Sequence, residues 1–256
     1  MTNFLRIPKI QLSITLFLIL LTAIFTNFST QNIVFVLVSV VSCALFDLLF
    51  LTIRKKPLFF PSAALVTGLI IGLVGNPNLV FFQTVIICFF AIVSKNFIRP
   101  TGRHIFNPAA FGLIIGSFLF GNSVSWWGVS WQQLKMYDVK FIMYYLILLL
   151  PGFISLIRMR RFRITLVFLV VYYILQIILN TKYLLLTTIF DPTVLFFSFV
   201  MLPEPMTSPN NHTRQLLFGL SVGVVSLIVS LGIINWRFDP LLLSLLIGNL
   251  IFFRLK

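Results

Sequence analysis

Two segments of this chain open in the same way and run in the same register. Residues 106–116 read FNPAAFGLIIG, and residues 238–248 read FDPLLLSLLIG. At a constant offset of 132, Phe106/Phe238, Pro108/Pro240, Leu113/Leu245, Ile115/Ile247 and Gly116/Gly248 are identical, and Asn107 stands opposite Asp239. Leucine and isoleucine coincidences carry little weight in so apolar a chain. The shared Phe-(Asn/Asp)-Pro start and the distal glycine carry more. A short polar residue followed by proline is a helix start, because the polar side chain caps free N–H groups and proline needs none. Each half of the chain therefore holds one helix opened by the same device.

A looser correspondence joins Pro61, at the head of FFPSAALVTGLIIGLVG, to Asp191-Pro192 within IFDPTVLFFSFVML. Proline removes a backbone donor and starts or ends a helix. Apolar spans so interrupted are expected to be short, with their ends meeting near the middle of a bilayer. Freed backbone groups are tolerated there only where they line a cavity or bind something. Pro61, Gly68, Gly72, Asp191, Pro192 and Asp239 are the candidate transport path, and Gly68 and Gly72 let backbones approach closely.

Of 256 residues, 59% are hydrophobic and 9% charged. Apolar runs of about 18–20 residues separated by short polar breaks define an all-α polytopic membrane protein. Spans are expected near 10–28, 33–53, 58–75, 79–94, 105–121, 140–157, 163–179, 184–202, 215–234 and 239–253. The 10–28 run is read as a retained span, too long for a signal-peptide core. The net charge of +14 is distributed as a topology signal and does not point to nucleic acid. With the N-terminus inside, outer segments hold only Lys135, Lys140, Lys182 and Arg237 among nineteen lysines and arginines. Both termini are then cytoplasmic, and the chain is a multi-pass protein of a bacterial-type inner membrane. All four tryptophans, Trp126, Trp127, Trp131 and Trp236, fall in outer segments, at headgroup level. The whole chain, 1–256, forms one membrane domain with halves at about 1–121 and 140–256. Five spans per half is an odd number, so the repeat is expected to be inverted, with its pseudo-two-fold axis in the membrane plane.

Few side chains are available for chemistry. The acidic residues are Asp47, Asp138, Asp191, Glu204 and Asp239. Asp47 either faces an intramembrane partner or cavity or reaches the interface near Arg54–Lys56. Asp191 and Asp239 read first as N-caps. The loop KNFIRPTGRHIFNP at 95–108 joins Arg103 and His104 to Asn107-Pro108, and basic residues at a helix N-terminus suit an anion or equally a plain cap with loop charge. The loop MLPEPMTSPNNHTRQ at 201–215 sets Glu204, Thr207 and Ser208 on proline-stiffened backbone, as a rigid connector or a binding loop. No metal site is expected, because no second histidine lies at ligand spacing. No nucleotide-binding or hydrolytic motif occurs.

Three stretches, GRHIFNPAAFGL at 102–113, MLPEPMTSPNNHTRQLLFGLSVGV at 201–224 and the closing FDPLLLSLLIGNLIFF with Asn249, resemble the membrane subunits RnfD and NqrB of bacterial ion-pumping electron-transport complexes. The resemblance implies ten spans, an inverted repeat of the urea-transporter kind, and flavin near the repeat interface. It implies electron transfer coupled to Na⁺ or H⁺ movement, by a subunit that is not a catalyst alone. Partners would be the lipid bilayer and other membrane subunits or a separate redox protein. Redox relatives carry a Ser/Thr-Gly-Ala-Thr motif that is esterified to FMN. This chain has none, so FMN or riboflavin is expected to bind noncovalently, with Arg103, His104, Asn107, Pro108, Glu204, Thr207 and Ser208 as the candidate residues. The competing functions are a channel or transporter for a small solute without redox activity, and a scaffold subunit.

Overall fold

The computed structural model of the protein describes residues 8–100, 102–130, 139–179, 191–231 and 238–255. Among these the regular secondary structure is helical, apart from one isolated bridge between Gly75 and Val124. The first half contains α1 (Pro8–Thr26), α2 (Thr30–Ile53), α3 (Ser62–Val74), α4 (Phe81–Phe97) and α5 (Pro108–Phe120). The second contains α6 (Val139–Met159), α7 (Phe162–Leu179), α8, α9 (His212–Ser230) and α10 (Pro240–Phe252). α8 is a short α-turn, Pro192–Phe196, that continues as a π-helix, Phe197–Met201.

The prolines act where the sequence places them. Pro61 stands immediately before α3, and Pro108, Pro192 and Pro240 each occupy the first helical position of α5, α8 and α10. Asn107, Asp191 and Asp239 cap those three helices, with the side-chain oxygen accepting from Ala110, Thr193 and Leu242 N–H at 3.1, 2.8 and 2.9 Å. α3, α5 and α10 have 13 residues each, about 20 Å of helix, against a hydrocarbon core of about 30 Å. The third span starts at Ser62 rather than at residue 58, because Pro61 sets its first turn. Among the described residues, α2 and α9 pass by length and composition as complete spans, and the other helices contribute apolar stretches of 10–17 residues. Of the outer residues named above, Trp131, Lys135, Asp138, Lys182, Trp236 and Arg237 lie outside the described residues.

Helices pair in the same order in the two halves. α2 packs on α3 and α4, and α4 on α5; α7 packs on α8 and α9, and α9 on α10. Between halves, α1 meets α6 and α5 meets α10, each the counterpart of the other by position. Glycines permit the closest approaches. A Cβ on Gly68 would lie 2.6 Å from Val40 Cα on α2, and one on Gly219 would lie 2.6 Å from the Ile164 carbonyl on α7. The core is continuous through α3, α5, α8 and α10 (Ile71, Leu113, Phe196, Phe197, Leu242, Leu245). Large apolar side chains also cover the outside, with Phe25, Leu45, Phe118 and Ile178 all exposed. Water would penalise a surface of this kind, and hydrocarbon does not.

Candidate functional site

The loop before α5 and the loop after α8 meet in one hydrogen-bonded cluster centred on Glu204. The π-helix prepares it. A π-turn leaves carbonyls without their usual partners, and here Ser198 O accepts from Thr165 Oγ1 on α7 at 2.7 Å while Met201 O faces Asn107 Nδ2 at 3.4 Å. Beyond Met201, Glu204 O accepts from the Thr207 and Ser208 N–H groups at 3.2 and 3.0 Å and from Ser208 Oγ at 2.7 Å. This proline-rich turn holds the Glu204 carboxylate toward the first half. Oε2 accepts from Asn107 Nδ2 at 2.9 Å and lies 3.4 Å from Thr207 Oγ1, and Oε1 lies 3.1 Å from His104 Nε2. Asn249 on α10 closes the ring. Its Oδ1 accepts the Asn107 N–H at 2.9 Å, and its Nδ2 reaches Thr207 O at 3.4 Å. His104, Asn107, Thr207, Ser208 and Asn249 are all buried.

His104, Asn107, Glu204, Thr207 and Ser208, separated by up to 104 positions, are thus brought together, and Pro108 starts α5 directly beneath them. Arg103 lies on the exposed rim. Asn249, which sequence reading matched only as a family feature, is a full member of the cluster. The signal for it was an amide in an otherwise apolar helix, where an amide needs a partner.

A second joint holds α10, the matched proline-opened helix of the second half. Asp239 caps α10 with Oδ1, and its Oδ2 accepts from Trp126 Nε1 at 2.7 Å. The last carbonyls of α3 position Trp126. Leu73 O accepts from Gly128 N–H, Val74 O from the Ser125 and Trp126 N–H groups, Gly72 O from Trp127 Nε1 at 2.8 Å, and Gly75 O from Ser125 Oγ at 2.8 Å. These are the groups a helix C-terminus leaves unpaired. Trp126 itself adopts φ +55°, a conformation that costs a non-glycine residue about 1–2 kcal/mol. It is 7% exposed and edges onto Phe196 of α8. Trp126, one of the tryptophans expected on the outer side, thus has its indole N–H on an internal carboxylate.

Gly72 joins the second joint through its carbonyl, and a Cβ on Gly68 or Gly72 would face Val40 or Val36 of α2. Asp191 is a cap, bonded to Thr193 N–H. Asp47, left between two readings, is 2% exposed and pairs with Lys95 Nζ at 3.0 Å to both oxygens. Asn96 Nδ2 also donates to Asp47 Oδ1 at 2.9 Å, and Arg54 Nη1 donates to Asn96 Oδ1 at 3.2 Å.

These features define an all-helical, membrane-integral protein with interrupted helices and polar joints between its halves. The NQR2, RnfD, RnfE family matches residues 5–253, and the chain belongs to this family. It is 30% identical over 115 residues to a component of the ion-translocating oxidoreductase complex from Buchnera aphidicola subsp. Schizaphis graminum (strain Sg), an alignment that covers 43% of this chain and 32% of that protein.

Proposed function

We propose that this chain is the membrane subunit of an Rnf/Nqr-type complex, passing electrons by way of a noncovalently held flavin, FMN or riboflavin, and coupling this to Na⁺ or H⁺ translocation. Its partners are other membrane subunits or a separate redox protein, as the relative named for a multi-component complex suggests. It lies in a cell membrane with both termini cytoplasmic. Its ten spans form two inverted five-helix repeats. The matched helix pairings, and the α1–α6 and α5–α10 contacts between counterparts, support that symmetry.

The observation that carries the reading is the pair of cross-half joints. The caps of the two matched proline-opened helices, α5 and α10, are held from elsewhere in the chain, Asn107 by Glu204 and Asn249, and Asp239 by Trp126. Short helices with anchored ends are the framework on which broken-helix transporters hold a midplane path. Flavin supplies reversible one- and two-electron transfer when bound. Within the cluster, His104, Asn107, Glu204, Thr207 and Ser208 are bonded to one another, so they fit a joint between the halves. Arg103 is exposed, makes no hydrogen bond among the described residues and fits an anionic edge of the group. A solute channel is disfavoured by the same geometry, because the polar groups at these helix ends are closed on each other.

Inverted membrane vesicles test the function. Electron-donor-driven Na⁺ or H⁺ uptake is expected to fall when the chain is deleted and to return with the wild-type chain but not with Glu204→Ala. Unchanged uptake after deletion would contradict it.

A further inference from the structure

The junction of α6 and α7 carries Arg158 in the last turn of α6, Arg160 and Arg161 in the turn itself, and Arg163 in α7, which sequence counting treats alike as loop charge. The structure separates one from the rest. Arg158 and Arg160 are exposed, whereas Arg161 is 4% exposed. Arg160 takes φ +55°, and the turn closes with Arg160 N–H on Ile157 O and Arg161 N–H on Leu156 O. The Arg161 side chain then runs inward to the start of α9. Its Nη2 donates to Asn210 Oδ1, one residue before the Asn211 cap. Gln215, in the first turns of α9, fastens the same corner by donating to the Arg160 and Asn210 carbonyls at 3.2 Å each.

Arg161 Nη1 is buried and has no hydrogen-bond partner. Among the described residues no carboxylate pairs with this guanidinium; the ion pairs there are Asp47–Lys95 and His104–Glu204. The charge that does act on it is another arginine. Burial, and then Arg103 nearby, push the Arg161 guanidinium down to about 10, so it stays charged at neutral pH. The N-terminus of α9 adds positive potential at the same corner. A buried, unpaired cation beside a second cation and a helix N-terminus is unfavourable alone. An anion placed among them is attracted by both guanidinium groups and by the helix end, and offsets their mutual repulsion.

We propose that Arg161, Arg103 and the first turn of α9 bind a phosphate group, carried by a soluble phosphomonoester such as flavin mononucleotide or by an anionic lipid headgroup. A phosphate offers several oxygens, which suits planar guanidinium forks and helix N–H groups. The flavin source rests on the function proposed above; the lipid source does not.

The test uses the purified full chain in neutral detergent, following its thermal midpoint against inorganic phosphate at constant ionic strength, then against FMN and riboflavin. A parallel arm compares nanodiscs of phosphatidylcholine with and without phosphatidylglycerol. A saturable rise in midpoint is expected, with apparent affinity about tenfold weaker in Arg161→Gln and intermediate in Arg161→Lys, which keeps the charge and loses the fork. Arg103→Gln, at an exposed position, is expected to weaken binding without loss of folding. FMN acting where riboflavin does not assigns the flavin source, and a phosphatidylglycerol effect assigns the lipid. If FMN has no effect while phosphate or phosphatidylglycerol does, only the flavin reading falls. The proposal is overturned if no phosphate source shifts the wild-type midpoint, or if Arg161→Gln and Arg103→Gln respond as the wild type does.

Discussion

Asn107 and Asp239 hold the same position in the two halves, yet different chemistry secures them. Asn107 donates to Glu204, and Asp239 accepts from the Trp126 indole. The one atom by which asparagine and aspartate differ at these sites therefore follows from the partner. Asn107→Asp, which copies the second half, would set a carboxylate against Glu204 Oε2 and lose a donor. Destabilisation of roughly 2–3 kcal/mol is expected, read as a lower thermal midpoint in detergent. Glu204→Gln in the same chain should return most of it, and a double variant no better than the single would refute the pairing. Asp47 behaves as a buried ion pair. Lys95→Met alone leaves a charge uncompensated, at a cost on the order of 3–5 kcal/mol, whereas Asp47→Leu with Lys95→Met should cost far less. Thermal unfolding of the single and double variants measures this.

At the scale of elements, what was legible in the sequence was local. Asn107-Pro108, Asp191-Pro192 and Asp239-Pro240 announce caps because the cap and the N–H it serves lie within three residues. Pro61 announces the start of α3 for the same reason. What was not legible was contact between distant elements. Asn249 meets Asn107 across 142 positions and Trp126 meets Asp239 across 113, and no pattern of periodicity or spacing reports such a meeting. Arg161 was indistinguishable from its basic neighbours until a left-handed Arg160 turned it inward. The glycines were read as allowing close approach, and the structure supplies the face. Gly68→Ala would press a Cβ onto backbone of α2, at 2.6 Å from Val40 Cα, whereas Gly223→Ala meets the Val171 side chain at 3.1 Å, which can shift. Gly68→Ala is expected to lose about 1–3 kcal/mol and Gly223→Ala clearly less, compared by midpoint under the same detergent conditions. Equal losses would argue against the α2–α3 contact.

For the whole molecule, the helix pairings repeat from one half to the other, and under the proposed five spans per half the two halves would enter the membrane oppositely. Single cysteines at Arg103 and Arg160 should then label from the cytoplasmic side and one at Asn122 from the outside; the native Cys43 and Cys88 are buried. Labelling of Arg103 and Asn122 positions from one side would exclude the inverted arrangement. The family supplies ion translocation and electron transport as the setting, and the chain lacks the threonine motif that would tether a flavin. The visible absorption spectrum of the purified protein, before and after denaturation, bears most directly on the function proposed. A flavin spectrum that leaves with the supernatant when the chain is denatured and precipitated is the predicted result. Absence of flavin from protein purified with its partner subunits, or flavin that stays with the denatured chain, would contradict it.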